Sequence, residues 1–246
     1  NLRVDKITST ETFETTGSVN FDGVGDFIQV TESNNAFDFD GDFTVEFWYY
    51  LHQDGVNTDF LGTANNAAHV GGSKSGWVIN YTGNSTGFRF GFSNDGSWDI
   101  NFELGFQSRF KPATWQHLAV TRESGTFRYF VDGELIDSRY DTTNLISTEG
   151  FLNIGAGFSN TSNEVQGFLS NVRIIKGKAL YTESFKPSMK ELEVTPETVT
   201  LACQSKTDAT LEKTGKTTTA SGNAVASELT PGLLTPIPKA GGSSAI

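Results

Sequence analysis

Apolar and polar residues alternate along several short stretches of the chain, with the period of two that is typical of a β-strand. In the clearest stretch, residues 43–51, one face carries Phe43, Val45, Phe47, Tyr49 and Leu51. The opposite face carries Thr44, Glu46, Trp48 and Tyr50. Because both faces are partly apolar, we expect this strand to lie in the middle of a sheet.

Further strands are predicted wherever a short run rich in β-branched and aromatic residues is bounded by turn residues. These runs are residues 76–81, 88–93, 98–104, 115–120, 127–131, 151–154 and 168–175. The pair Asp132-Gly133 favours a two-residue hairpin turn, in which both central residues have positive φ. Turn signals recur about every ten residues, and no long amphipathic helical pattern is present, so the sequence predicts an all-β sandwich or barrel.

The composition changes near residue 186. The 30 aromatic residues all lie at or before Phe185, and the rest of the chain is rich in Thr, Ser, Ala, Gly and Pro. Such a segment cannot offset its ordering entropy by itself. We therefore expect a domain over residues 1–185 and an extended arm over residues 186–246. This arm is either a disordered linker or a segment that orders against a neighbouring subunit, with residues 199–201 as one short apolar run able to add a strand.

Charge and composition exclude several classes of function. The 18 Lys and Arg residues against 29 Asp and Glu give a net charge of −11, which disfavours nucleic acid as a partner because phosphate neutralisation requires cations. No stretch approaches the roughly 20 apolar residues of a membrane helix. The single cysteine, Cys203, allows no intrachain disulfide. The chain begins at Asn1 without an apolar signal region, so we expect a processed protein or a piece of a longer one.

Three stretches resemble concanavalin A-like jelly rolls of the laminin-G type. Residues 18–51 contain a Gly-x-Gly-Asp turn and a later Gly-Asp-Phe-Thr-x-Glu-Phe-Trp strand. Residues 115–136 resemble the Trp-x-His hairpin of that family, and residues 151–181 resemble its last strand pair. The resemblance implies a two-sheet antiparallel jelly-roll sandwich, in which Trp48 and Trp115 are expected to be packing residues rather than sugar platforms.

The C-terminal part has a narrower resemblance. Residues 168–207, with their Lys-Gly-Lys-Ala-Leu-Tyr-Thr segment and a later Leu-Ala-Cys-Gln run, resemble jelly-roll domains in structural proteins of tailed phages of marine bacteria. This resemblance implies a non-enzymatic virion protein, either a capsid decoration or a tail or fibre component. Its partners would be other virion proteins and copies of itself in a homo-oligomer, for which a trimer is plausible.

Catalysis is not expected. Glycoside hydrolysis requires two carboxylates about 5–10 Å apart, whereas the resembling glucanases supply them in a Glu-x-Asp-x-x-Glu type of pattern that is missing from this sequence. Glu46 stands alone on its strand, which is typical of a satisfied structural group. His117, within the strand at 115–120, is expected to be a hydrogen-bonded structural residue, and the scattered histidines predict no metal triad.

The resemblance also implies a structural calcium ion, which prefers oxygen ligands. The matching positions are Asp22, Asp26 and Asn171, the last of which often carries Asp in the family. The alternative is that Asp26 simply caps its own turn.

The main alternative function is that of a lectin-like module that binds host-surface polysaccharide. Loops at one end of such sandwiches bring polar and aromatic side chains together, and aromatic rings there can stack on sugars. The candidate glycan-binding residues are Tyr81, Asn84, Asn94, Asp95 and Trp98.

Overall fold

The computed structural model describes residues 16–32, 35–63, 76–83, 87–93, 98–105, 109–147, 150–157 and 163–232, and of residues 98 and 99 only the backbone. These residues form fifteen β-strands and no α-helix. All strand pairs are antiparallel, and they form two sheets. The expected all-β sandwich of two antiparallel sheets is therefore confirmed. No helix in the described ranges has the length and apolar character needed to cross a membrane.

The first sheet has the strand order β10-β9-β8-β3-β12-β1-β15, with β13 also paired to β12. Its strands are β1 (Ser18–Asp22), β3 (Phe43–Leu51), β8 (Gln116–Glu123), β9 (Thr126–Val131), β10 (Glu134–Tyr140), β12 (Gln166–Lys176), β13 (Thr198–Ala202) and β15 (Val225–Ser227). The strand β3 lies between β8 and β12, as its two partly apolar faces predict.

The second sheet has the order β14-β2-β11-β4-β5-β6-β7. Its strands are β2 (Phe27–Thr31), β4 (Thr58–Gly62), β5 (Gly76–Thr82), β6 (Gly87–Ser93), β7 (Trp98–Glu103), β11 (Phe151–Ile154) and β14 (Thr217–Ser221). Of these, β4 and β14 were not predicted.

Alternation along β3 assigns its side chains to two different environments. Phe43, Phe47 and Tyr49 are buried in the core between the sheets, where they contact aromatic rings such as Phe60 and Phe90. Burying a large aromatic side chain contributes about 1.5–3 kcal/mol, so this aromatic layer is a major source of stability. The alternate residues of β3 face outward from the first sheet.

The predicted hairpin turn is confirmed. Asp132 and Gly133 have φ values of 51° and 77° and connect β9 to β10. The missing side chain of Gly133 also has a tertiary role, because a Cβ there would meet the carbonyl oxygen of Phe185 at 2.0 Å.

The described part of the predicted arm is built into the sandwich of its own chain, so the division at residue 185 needs correction. The strand β13 pairs with β12 beyond the end of β1, and β15 pairs with β1 itself. The strand β14 crosses to the second sheet and pairs with β2 as its edge strand. This segment has few large apolar groups of its own, but it is ordered by backbone hydrogen bonds to existing sheet edges. Whether it also contacts another subunit stays a prediction.

Candidate functional site

The chain after β12 runs across the outer face of the first sheet. The Thr44 hydroxyl donates to the Lys178 carbonyl oxygen at 3.0 Å, and the Thr121 hydroxyl donates to that of Tyr181 at 2.8 Å. Further along, the Trp48 indole N–H donates to the Ser188 carbonyl oxygen at 2.9 Å. We call residues 177–190 the strap, because outward-facing side chains of β3 and β8 hold its backbone against the sheet.

A buried polar cluster lies between the strap and the sheet. The two carboxylate oxygens of Glu46 accept hydrogen bonds from Arg173 (Nε at 2.8 Å and Nη2 at 2.5 Å) and from the Tyr181 hydroxyl at 2.9 Å, and His117 Nε2 lies 3.1 Å from Oε2. The Phe185 ring covers His117 edge-on. Glu46 is the satisfied structural group that the sequence predicts. His117 is buried and hydrogen-bonded through Nε2, as expected, but its Nδ1 has no partner among the described residues.

Electrostatics keeps the Glu46 carboxylate ionised. Burial opposes ionisation of Glu46, but hydrogen bonding and charge from His117 and the charge of Arg173 outweigh it and hold the pKa of Glu46 below its ordinary value. Burial and the neighbouring Glu46 carboxylate raise the pKa of Tyr181 well above its ordinary value. The Tyr181 hydroxyl therefore remains protonated and donates to Glu46.

A groove of about 510 Å³ opens beside the strap. Its lining comes from β3, from the loop that leads into β8, from the β9–β10 turn, from the strap and from Gly232. The lining residues are Trp48, Tyr50, Lys111, Ala113, Thr114, Trp115, Asp132, Lys186, Pro187, Met189 and Gly232. A volume of this size is in the range of small-ligand sites in proteins.

The partly exposed rings of Tyr50 and Trp115 form one side of the groove, and Phe168 and His52 lie next to them outside its lining. The rings of Tyr50 and Trp115 lie 5.8 Å apart between centroids, and Phe168 lies 5.8 Å from Tyr50 and 6.4 Å from Trp115. The exposed His52, directly after the end of β3, contacts both Tyr50 and Phe168. We call Tyr50, His52, Trp115 and Phe168 the aromatic surface. The arrangement offers apolar ring faces beside polar groups.

The aromatic surface also contains an unsatisfied donor. The Trp115 indole nitrogen is buried and has no hydrogen-bond partner among the described residues. A buried donor without a partner is costly, so it marks a place where a water molecule or a ligand oxygen would be stabilised.

Asp132 supplies the acidic group of the groove. Its Oδ1 accepts from the His117 backbone N–H at 2.9 Å, and its Oδ2 accepts from the Gln116 side chain at 3.1 Å. These bonds orient the carboxylate toward the start of β8, and two lysines, Lys111 and Lys186, provide the cations of the lining.

A family model, described as the concanavalin A-like lectin/glucanases superfamily, matches residues 22–183. The chain belongs to this superfamily. Its sandwich is therefore the concanavalin A-like jelly roll that the sequence resembles, and the matched segment ends inside the strap. No curated protein sequence matches the chain significantly.

One solved structure supports this fold, and two others are more distantly similar. A protein from Bacteroides ovatus that is provisionally described as carbohydrate binding has a TM-score of 0.62 and 14% identity, over 88% of this chain and 60% of its own. Mouse laminin α1 domains LG4-5 have a TM-score of 0.47 and 13% identity, over 65% of this chain and 41% of theirs. A heptameric SAP-like pentraxin from Limulus polyphemus has a TM-score of 0.45 and 10% identity, over 70% of this chain and 78% of its own. The latter two likenesses are too distant to support a function.

The residues proposed as calcium ligands do not form one site. Asp26 accepts from the Asp22 backbone N–H at 2.8 Å, which confirms the turn-capping alternative, and both carboxylates also accept from Asn223. Asn171 lies five residues along β12 from Gln166, the partner of Asp22, a separation of about 16 Å. Its side chain instead accepts from Gln204 at 2.5 Å. Within the described residues, no cluster of three or more His, Cys, Asp or Glu could hold a metal ion.

The proposed glycan-binding residues have a mixed outcome. Tyr81 is buried, with its ring packed against Phe88 and Phe110 and its hydroxyl donating to Asp54 at 2.8 Å, so it offers no face to a sugar. Asn84, Asn94 and Asp95 lie outside the described residues, as does the side chain of Trp98. Their role stays a prediction.

Sequence reasoning missed the groove. Trp48 is a packing residue, as expected, but it packs under the strap on the outer face of the sheet rather than between the sheets. Trp115, also expected to be packing, is partly exposed in the groove lining. The sequence did contain one signal for the groove, namely the aromatic residues on the outer face of β3. Such a face can be covered by another segment or can bind a ligand, and the position of the strap distinguishes the two.

Proposed function

We propose that this protein binds carbohydrate in the groove beside the strap and performs no chemistry on it. The observation that carries the proposal is the aromatic surface, in which Tyr50 and Trp115 present partly exposed rings next to polar side chains. Sugar rings have apolar C–H faces bordered by hydroxyl groups. A wall of aromatic rings with polar groups at its edge complements both features.

Two further observations support binding. The chain belongs to a superfamily named for lectins and glucanases, and its fold resembles that of the Bacteroides ovatus protein, whose provisional description is carbohydrate binding. The unsatisfied Trp115 N–H is a donor that a saccharide oxygen would satisfy after a small ring movement.

Binding without hydrolysis is favoured by the state of Glu46. This carboxylate is 2% exposed beneath the strap and is already bonded to Arg173 and Tyr181. Asp132, in the groove, has its carboxylate oxygens bonded to the start of β8. A retaining or inverting mechanism requires two carboxylates that reach the scissile bond, and Glu46 cannot reach a ligand in the groove.

The test is a glycan array followed by calorimetry with the saccharide that binds best. Trp115→Ala is expected to weaken binding at least about tenfold, which corresponds to about 1.4 kcal/mol. Tyr140→Ala is the matched control, because Tyr140 is 74% exposed on the edge strand β10 and does not line the groove. Circular dichroism verifies that both variants fold. If the array binds no saccharide, or if Trp115→Ala binds as tightly as the native protein, the proposal is wrong.

A further inference from the structure

The two lysines of the groove are not engaged in salt bridges with the described residues. Lys111 and Lys186 are exposed, and neither ammonium group has a carboxylate within 4.0 Å among the described residues. They come from separate segments, since Lys111 lies in the loop before β8 and Lys186 lies in the strap. The fold therefore brings two unpaired cations to one groove.

Several cations elsewhere in the described part of the chain are paired with carboxylates. Arg173 bonds Glu46, Lys213 bonds Glu191, and Arg109 makes a two-pronged contact with Glu134. With a net charge of −11, carboxylates are in excess over the whole sequence. Lys111 and Lys186 line the groove and form no salt bridge with a described carboxylate. They are therefore available to pair with an anionic group of a ligand.

Asp132 does not cancel this charge. Its oxygens accept from the backbone N–H of His117 and from the side chain of Gln116, so part of its charge is already compensated. The acidic groups outside the groove act over longer distances, and salt screens exposed charges beyond about 8–10 Å at physiological ionic strength. The nearest charges to a bound ligand are therefore the two ammonium groups and a partly compensated carboxylate.

We propose that the groove selects acidic saccharides, whose carboxylate or sulfate groups pair with Lys111 and Lys186 while the sugar rings contact Tyr50 and Trp115. This inference rests on the proposed function and adds the chemical class of the ligand. An exposed charge pair is worth up to about 1 kcal/mol, so each lysine contributes up to about fivefold in affinity.

The experiment compares matched saccharides with and without charge. The probes are oligogalacturonate and its methyl ester, and sulfated dextran and dextran, each titrated into the full chain at low and high salt. The acidic member of a pair is expected to bind at least about fivefold more tightly at low salt, and this preference is expected to shrink at high salt.

Variants assign the preference to the groove. Lys111→Gln together with Lys186→Gln is expected to remove the preference for the acidic probe, measured as the ratio of the affinities for the acidic and the neutral member of each pair. Lys178→Gln is the control, because Lys178 is exposed but lies outside the groove lining. Loss of the preference in this control would assign it to general surface charge and overturn the inference.

The two proposals fail in different ways. If neutral and acidic probes bind equally and Trp115→Ala weakens both, carbohydrate binding is supported and the acidic class is wrong. If acidic probes bind better but the lysine variants change nothing, the inference is also wrong. If no saccharide binds at all, the proposed function fails and this inference fails with it.

Discussion

At the scale of single residues, the outer face of the first sheet is organised around Glu46. Its carboxylate connects β8, through His117, to β12, through Arg173, and to the strap, through Tyr181. A buried ion pair is not by itself strongly stabilising, but removing one partner leaves the other charge uncompensated. Glu46 therefore fixes where the strap lies more than it adds to the core.

Replacing the Glu46 carboxylate is expected to lower the stability of the protein strongly. Glu46→Ala leaves the buried Arg173 guanidinium without its partner, and we expect a loss of about 3–5 kcal/mol in the free energy of unfolding, measured by urea denaturation. Glu134→Ala is the control, because it removes a carboxylate from the exposed pair with Arg109 and is expected to change stability little. Equal effects of the two substitutions would contradict the role assigned to Glu46.

Asp59 gives a prediction with a definite pH range. Burial, only partly offset by the hydrogen bond from Asn80 and the charge of Arg89, raises the pKa of Asp59 from 3.8 to about 6, and its Oδ2 has no hydrogen-bond partner among the described residues. A raised pKa means that the folded state binds the proton more tightly. The contribution of protonated Asp59 to the stability of the fold is therefore complete below pH 3.8 and is lost as pH rises through about 6.

Asp59→Asn removes this ionisation. We expect it to raise the melting temperature at pH 8, where the native carboxylate is charged, and to have little effect near pH 4. A shift of about two units corresponds to about 3 kcal/mol as an upper value. Thermal melts of both proteins across this range measure the difference, and a gain that is the same at every pH would contradict the assignment.

At the scale of elements, the β9–β10 hairpin and the strap depend on each other. The Gly133 carbonyl accepts from the Phe185 N–H at 2.8 Å, and Gly133 leaves room for the Phe185 carbonyl. Next to this contact, the Phe185 ring packs on Phe130 and stacks on Tyr181. The turn thus positions Phe185, and the next residue of the strap, Lys186, lies in the groove lining.

Gly133→Ala tests this dependence. The substitution adds a Cβ in the left-handed region and places it against the Phe185 backbone, so the strap has to move. Gly177→Ala is a matched control, because Gly177 has a similar φ of 84° but nothing within 4 Å of the new Cβ. The control is expected to lose about 1–2 kcal/mol from backbone strain alone.

We expect Gly133→Ala to lose more than this and also to weaken protection of the Phe185 amide in hydrogen exchange. Unchanged exchange at Phe185 would show that the strap does not depend on the turn.

At the scale of the whole molecule, the C-terminal segment connects the two sheets. Residues 198–227 add β13 and β15 to the first sheet and β14 to the second, and Leu201, Ala202 and Cys203 are buried. A sheet edge that loses its partner strand exposes unpaired backbone groups. The domain therefore extends beyond residue 183, where the superfamily match ends.

Truncation measures how much the sandwich depends on this segment. A chain ending at Phe185 is expected to aggregate or to unfold at much lower temperature, because β1, β2 and β12 lose their partners. A chain ending at Gly232 retains every described strand and is expected to melt close to the full chain. Size-exclusion chromatography and thermal melts distinguish the two. A stable, monomeric 1–185 fragment would show that the segment is an accessory.

Assembly into a virion stays a prediction, as does the location on a phage particle. Neither the superfamily nor the similarity in fold tests this assembly. The described strands of the C-terminal segment pair with strands of their own chain. Quantitative mass spectrometry of particles from the source would test it, and absence of this chain from the particles would reject it.

Local features of this protein could be predicted from its sequence alone. Alternation along residues 43–51 predicted β3 and its central place, and the Asp132-Gly133 pair predicted its turn, because side-chain period and φ preference act within a few residues. The lone strand carboxylate also predicted that Glu46 is a satisfied structural group, which its hydrogen bonds from Arg173 and Tyr181 confirm.

The position of the C-terminal segment and the location of the groove depend on long-range contacts. Residues 198–227 contain few large apolar groups, and their order comes from backbone hydrogen bonds to β1, β2 and β12, which leave no strong side-chain pattern. The groove likewise joins Tyr50, Trp115 and Lys186, which are far apart in sequence. Their proximity follows from strand pairing and from the path of the strap, and both are long-range contacts that no local pattern encodes.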